Sequence, residues 1–167
     1  NTDPQTLPVF HQVVKSKFGA ALCDIQTVKF DDHTCASLDV ISDTLRCMPR
    51  VSDVNITFSE DDRSVASQTS LTQLGECIGK LSGQLSSLAV GHADNRLDVG
   101  VILEHLSQSA SKSLTHIDFK DTHVGDAVRH MAGIIPHLES LTLQYAGLND
   151  AHMRVLCDML PKAACLE

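Results

Sequence analysis

The residues with the greatest capacity for chemistry in this sequence are nine histidines, six cysteines and 21 carboxylates. Imidazole is a common zinc ligand, and His92, His116 and His123 lie on or just after neighbouring predicted strands. A zinc site needs three or four convergent ligands with supporting hydrogen bonds, however, and the sequence places only two of these histidines close together. We therefore predict no metal site.

The sequence context of the cysteines favours free thiols over disulfide bonds or zinc ligands. None belongs to a C-x-x-C pair, and most lie inside apolar runs such as ALCDI, GECIGKL and RVLCDML. A chain of 167 residues is also long enough to form a hydrophobic core without disulfide bonds. We expect six thiols, no disulfide and a cytoplasmic protein; the cysteines are Cys23, Cys35, Cys47, Cys77, Cys157 and Cys165.

Motifs for catalysis or cofactor binding are missing from the sequence. It contains no G-x-G-x-x-G, no G-x-x-x-x-G-K-[ST], no H-E-x-x-H and no G-x-S-x-G. Acidic runs such as residues 60–62 are typical of solvated surface. A formal net charge of −8 argues against general nucleic-acid binding, and no apolar run is long enough for a membrane helix. We predict a protein that is not an enzyme and takes no cofactor.

The secondary-structure elements that would position a functional site recur along the chain. The pattern apolar-x-x-apolar-x-apolar occurs five times at spacings of 24 to 34 residues, and a sixth copy begins at Leu166. Between these predicted strands the apolar period lengthens to about 3.6, as an amphipathic helix requires. The five complete strand patterns are Ile25-Val28-Phe30, Val51-Val54-Ile56, Leu85-Leu88-Val90, Leu114-Ile117-Phe119 and Leu138-Leu141-Leu143. Helices are predicted over 38–48, 70–82, 99–108, 126–135 and 150–160.

Two consecutive units match each other element for element: SLTHIDFKDTHVGDAVRHMAGIIP, residues 113–136, and LESLTLQYAGLNDAHMRVLCDMLP, residues 138–161. In this pattern residues 25–167 resemble the leucine-rich repeat family, specifically the ribonuclease-inhibitor-like subtype that also occurs in NOD-like receptors. The sequence departs from the family where Asn or Cys is usual after the strand, since these positions hold His33, Ser59, Ala93, Thr122 and Ala146. It also carries an acidic insertion at 59–69.

The resemblance implies an α/β fold: a right-handed solenoid bent into a horseshoe arc, with parallel strands on the concave face and helices on the convex face. Residues 25–167 are expected to form about five repeats, truncated at the C-terminus. Residues 1–24 are expected to form an N-terminal helix, which is either a cap or the helix of a preceding repeat. We interpret the chain as a piece of a longer protein.

The predicted strands alternate, so the residues between their apolar positions should point outward from the concave face. Counting gives four outward columns. They are Thr27, Asp53, Ser87, His116, Ser140; Lys29, Asn55, Ala89, Asp118, Thr142; Asp31, Thr57, Gly91, Lys120, Gln144; and Asp32, Phe58, His92, Asp121, Tyr145. We expect partner binding at the C-terminal half, on His116, Asp118, Lys120, Asp121, Thr142, Gln144 and Tyr145.

By resemblance, the expected function is protein interaction without catalysis. The domain would sense a ligand, or hold the receptor's own nucleotide-binding domain inactive, in a NOD-like innate immune receptor. The alternative is a regulator or inhibitor that docks on an enzyme or GTPase, as ribonuclease inhibitor and GTPase-activating solenoids do. An acidic surface would suit a basic enzyme, because opposite charge raises the association rate.

Overall fold

A computed structural model describes residues 22–59, 66–92, 97–109, 112–163 and 166. The helix predicted over residues 1–24 lies almost entirely outside these ranges, as does most of the acidic insertion. The strands are β1 (Thr27–His33), β2 (Asp53–Phe58), β3 (Ser87–His92), β4 (His116–Lys120) and β5 (Ser140–Thr142). The α-helices are α1 (Leu38–Arg46), α2 (Gln68–Leu81), α3 (Gly100–Gln108) and α4 (Asp150–Met159). Short 3₁₀ helices cover Cys35–Ser37, Gly125–Gly133, Ile135–His137 and Leu160–Lys162.

The five strands form one sheet in chain order, and every adjacent pair is parallel. Helical segments alternate with the strands, and consecutive helical segments pack on each other. The α/β class and the parallel sheet are thus confirmed. The register also follows the predicted columns: Val54 pairs with Leu88, Leu88 with Ile117, and Ile117 with Leu141.

The core lies between the sheet and the helices. The predicted apolar stripes of the first three helices are buried there, as are the apolar positions of β2, β3 and β4. In α1, Leu38, Ile41 and Leu45 are buried, and Met48 just beyond the helix is buried with them. The 2-residue and 3.6-residue periods therefore predicted the inward faces of these elements correctly.

The segment predicted as a helix over 126–135 is a 3₁₀ helix, Gly125–Gly133, rather than an α-helix. This unit is the shortest of the chain, with 24 residues between equivalent strand positions. A 3₁₀ helix rises about 2.0 Å per residue against about 1.5 Å for an α-helix, so fewer residues span the same length. The apolar side chains of the predicted helix, Val128, Met131 and Ile135, recur at helical spacing and are buried.

The apolar stripe of the last predicted helix, Met153, Leu156 and Leu160, is confirmed only at Leu156. Met153 and Leu160 are exposed, and the side of α4 that faces the molecule carries Leu156, with Met159 partly buried. The strand pattern likewise predicted Leu141 as core, but its side chain is only half-buried. The reason is the same in both cases: β5 is the last strand of the sheet order, so one flank of this unit has no described neighbour.

Helix α4 begins with a capping box at Asn149. The Asn149 side chain accepts a hydrogen bond from the His152 backbone N–H at 3.0 Å, and the His152 ring accepts one from the Asn149 backbone N–H at 3.2 Å. The other ring nitrogen of His152 lies 2.9 Å from the Asp126 carboxylate, which joins α4 to the 3₁₀ helix. In α2 the N-cap is Ser67, whose side chain accepts a hydrogen bond from the Ser70 backbone N–H at 3.0 Å.

We expect Asn149→Ala to destabilise the chain by about 1 kcal/mol, because a helical N–H loses its acceptor. Asn149→Asp keeps an acceptor oxygen at the same place and should unfold at nearly the wild-type urea concentration. Urea unfolding followed by circular dichroism measures both variants. An equal loss in both would contradict the capping role.

Candidate interaction surface

Strand β4 carries the first three residues of the predicted site. His116, Asp118 and Lys120 are exposed, whereas Ile117 and Phe119 between them are buried. This strict alternation puts an imidazole, a carboxylate and an ammonium group in one row on the exposed face of the sheet. The His116 ring nitrogen Nδ1 lies 2.8 Å from the Thr115 hydroxyl, which orients the ring.

Strand β5 brings two more predicted residues beside this row. Thr142 pairs with Asp118 in the parallel register and is half-buried. Just beyond β5, the backbone carbonyl of Gln144 accepts a hydrogen bond from the Asp121 N–H at 2.9 Å. The register therefore places Thr142 and Gln144 alongside β4, as predicted.

Asp121 and Tyr145 occupy equivalent positions after β4 and β5, and both have φ of 53°. This left-handed conformation is uncommon for residues other than glycine and is especially unfavourable for a large side chain such as Tyr. Asp121 is half-buried, but the Tyr145 side chain is 66% exposed. The turn therefore holds the chain's single tyrosine out in solvent beside the polar row.

The fourth predicted column is wrong for β2 and β3. Phe58 and His92 are buried, and their rings pack with centroids 5.7 Å apart. The alternation simply continues for one more residue in these strands, which sends both side chains inward. At Asp121 and Tyr145 the left-handed backbone ends the alternation instead.

The fourth column also fails at β1. There Phe58 pairs with His33, and not with Asp32 as counted from the sequence. The register shifts between Phe30 and His33, so β1 contains a bulge with one extra residue. The predicted columns that begin at Thr27 and Lys29, before this bulge, retain their register through all five strands.

Charges on this face are mixed. Asp118 and Lys120 are both exposed, and none of the ion pairs found among the described residues includes either of them. Exposed charges of this kind steer a partner and contribute to specificity more than to affinity. The arrangement can form hydrogen bonds and ion pairs with a polar surface, and the Tyr145 ring adds apolar contact area.

The sequence did not reveal the role of the turn next to Tyr145. A Cβ on Gly147 would lie 2.5 Å from the His123 ring, and one on Gly125 would lie 2.8 Å from it. Both glycines have positive φ, of 65° and 47°. Gly125 and Gly147 in the segments after β4 and β5 were the available signal, because a side chain fits neither place.

A metal site is not supported by the described part of the chain. Within it no three His, Cys, Asp or Glu side chains could hold a metal ion together. His92 is buried, whereas His116 and His123 are exposed.

None of the described helices is long and apolar enough to cross a membrane.

On the helical side, a groove of about 340 Å³ lies between the ends of α1 and α2. Cys77 lines it together with Arg46 and Lys80. Burial raises the pKa of the Cys77 thiol, and the opposing effect of the two cations is smaller. The Cys77 thiol donates a weak hydrogen bond to the Ser42 carbonyl, with sulfur and oxygen 3.5 Å apart.

We expect iodoacetamide to label the folded chain at Cys157, which is an exposed thiol, and to spare Cys77. The reason is that alkylation requires an accessible thiolate, and Cys77 is 2% exposed with a raised pKa. Unfolding without reductant should then label all six cysteines, as the sequence predicts. Mass spectrometry of the digested protein reads both steps. A recovered disulfide-linked peptide would contradict the second expectation.

No known protein-family model matches this chain, and no curated protein matches it either. The functional proposal therefore rests on the arrangement of the described residues.

Proposed function

We propose that this chain is a protein-interaction module without catalytic activity, a leucine-rich repeat solenoid of the ribonuclease-inhibitor-like subtype. In this proposal the strands line the concave face and the helices the convex face. The domain acts in the cytoplasm as the ligand-sensing or autoinhibitory repeat region of a NOD-like immune receptor. It needs no cofactor, and its partner is another protein or the receptor's own nucleotide-binding domain.

The chain order of the sheet supports the repeat architecture. Each strand pairs in parallel with the strand of the next unit, and each helical segment packs on that of the next unit. Contacts between nearest neighbours are the organising feature of repeat proteins. The apolar columns that run through the strands, such as Val54, Leu88 and Ile117, supply the continuous core that stacked units need.

The observation that carries the binding proposal is the exposed row on β4 next to Tyr145. His116, Asp118 and Lys120 project from a strand inside the sheet, so little backbone freedom is lost on binding. Tyr145 combines a flat apolar ring with a polar tip, and such residues are frequent anchors of interfaces. A bulky residue held at φ of 53° is also the kind of strained position that occurs at functional sites.

We expect Tyr145→Ala to weaken binding of a true partner by at least about 1–2 kcal/mol, or roughly 5- to 30-fold. The folded chain should lose little stability, since the Tyr145 side chain is largely exposed. The test is a pull-down from cytosol with the immobilised chain, followed by affinity measurement of each retained protein against the variants. Tyr145→Phe is the matched control that keeps the ring.

Charge reversal at Asp118 and Asp121 should mainly change the association rate and its dependence on salt. A different result is a partner that still binds after the substitutions at Tyr145, Asp118 and Asp121 but is lost when Glu60, Asp61 and Asp62 are neutralised. That result would contradict the proposed surface and place the binding site in the acidic insertion at 59–69. Retention of a basic enzyme or a GTPase would favour the regulator function over the receptor function.

A further inference from the structure

The groove between α1 and α2 has the size of a small-ligand site. Its volume of about 340 Å³ lies within the range of roughly 300–1,000 Å³ that is typical of ligand pockets. Leu81 and Cys77 line it and are buried, and Pro49, just beyond α1, lines it and is exposed. The two helices belong to consecutive units, so both walls of the groove are part of the described chain.

Hydrogen bonds between the two units hold the groove in shape. The side-chain amide of Gln84 donates to the Pro49 carbonyl and joins the walls beyond the helix ends. The weak bond from the Cys77 thiol to the Ser42 carbonyl joins the helices themselves. A site that exists before binding costs a ligand less ordering free energy than one that must form on binding.

The charged side chains that line the groove, among the described residues, are both basic, although the chain has a formal net charge of −8. Arg46 lies 2.6 Å from the Asp43 carboxylate, whereas Lys80 is in none of the ion pairs found among the described residues. Burial has the largest effect on the pKa of the Cys77 thiol and raises it. Among the charges, Arg46 and Lys80 each change this pKa more than Asp43 does, so the groove is electropositive.

Both helices end at the groove, and free carbonyl groups at a helix C-terminus disfavour an anion. The backbone carbonyl groups here are already hydrogen-bonded, however. That of Leu45 accepts from the Met48 N–H at 2.9 Å, and that of Leu81 accepts from the Leu85 N–H at 3.0 Å. The two basic side chains therefore determine which charge the groove prefers.

We propose that this groove binds a small monocarboxylate with an apolar body. The carboxylate lies between Arg46 and Lys80, and the apolar body packs on Leu81 and Pro49. A single negative charge fits because only Lys80 of the two cations lacks a carboxylate partner among the described residues. The site is on the helical side of the molecule and does not depend on the proposed recognition surface.

NMR titration of the whole chain with octanoate tests the proposal. We expect changes in the backbone amide signals of Cys77, Gly83 and Gln84, which line the groove, and a dissociation constant of about 1 mM or lower. Octan-1-ol keeps the apolar chain without the charge, and acetate keeps the charge without the chain. Each should bind at least about tenfold more weakly than octanoate.

Two pairs of variants test the charges. Lys80→Gln should raise the dissociation constant of octanoate at least about fivefold, whereas Lys162→Gln, an equal charge change in the last unit, should leave it unchanged. Asp43→Asn should lower it about threefold or more, because Arg46 loses its carboxylate partner. Asp39→Asn removes an exposed carboxylate one turn earlier on α1 and should have no effect.

The proposal is wrong if octan-1-ol, acetate or inorganic phosphate binds as tightly as octanoate. It is equally wrong if Lys162→Gln weakens binding as much as Lys80→Gln, or if octanoate causes no signal changes at about 10 mM. In that last case, loss of a pulled-down protein from Lys80→Gln would make the groove a protein-docking surface instead. None of these variants alters the exposed row on β4, so failure of the ligand site and failure of the recognition function are distinguishable.

Discussion

Phe119→Ala should destabilise the chain by about 3–5 kcal/mol. Phe119 is completely buried on β4 and pairs with Val90 of β3 in the core column of the sheet. Truncation to Ala removes most of a large apolar side chain and leaves a cavity that closely packed neighbours refill only in part. Urea unfolding monitored by circular dichroism measures the loss.

Lys120→Ala is the matched control for this prediction. Lys120 is the next residue on the same strand, and its side chain is exposed on the opposite face. Its removal should change the free energy of unfolding by no more than about 0.5 kcal/mol. Similar effects of the two substitutions would mean that β4 is shifted by one residue, which would turn every side chain of the row to the other face.

Gly75→Leu should destabilise the chain by about 1–3 kcal/mol. The Cβ of any substitute would lie 2.7 Å from the His105 ring and 3.2 Å from the Val101 carbonyl oxygen, which belongs to the backbone of α3. The two helices would have to move apart to admit a larger side chain. Leu has a higher helix propensity than Gly, but this gain stabilises the chain by at most about 1 kcal/mol, so the cost of overpacking should be larger.

Gly83→Leu tests whether close packing is the cause. A Cβ at Gly83 would have no atom within 4 Å, and the residue lies beyond the end of α2. We expect its unfolding free energy to stay within about 0.5 kcal/mol of the wild-type value. If both glycine substitutions cost the same, the loss at Gly75 would not come from the α2–α3 contact.

The repeating units predicted most of the architecture, because each unit combines the two-residue period of a strand with the 3.6-residue period of a helix. Alternation identified the buried faces of β2, β3 and β4, and the 3.6-residue period identified those of α1, α2 and α3. The alternation of predicted strands and helices favoured a parallel sheet, and the five strands pair in chain order. These features depend on which side chains avoid water, and the order of polar and apolar residues records that directly.

The candidate site was predicted in part for the same reason. His116, Asp118 and Lys120 lie within a regular strand, so counting by twos placed them correctly on the exposed face. The residues just after the strands could not be placed by counting. Phe58 continues the alternation and turns inward, whereas Tyr145 sits at φ of 53° and turns outward.

By itself, then, the sequence determined the period of the units, the inward faces of the middle elements and the polar row of β4. The tertiary structure alone decided where alternation stops, that residues 125–133 wind as a 3₁₀ helix, and that Met153 and Leu160 are exposed. The physical reason is that the sign of one backbone angle, or the presence of a neighbouring helix, depends on contacts between units. A pattern of polar and apolar residues within one unit does not contain those contacts.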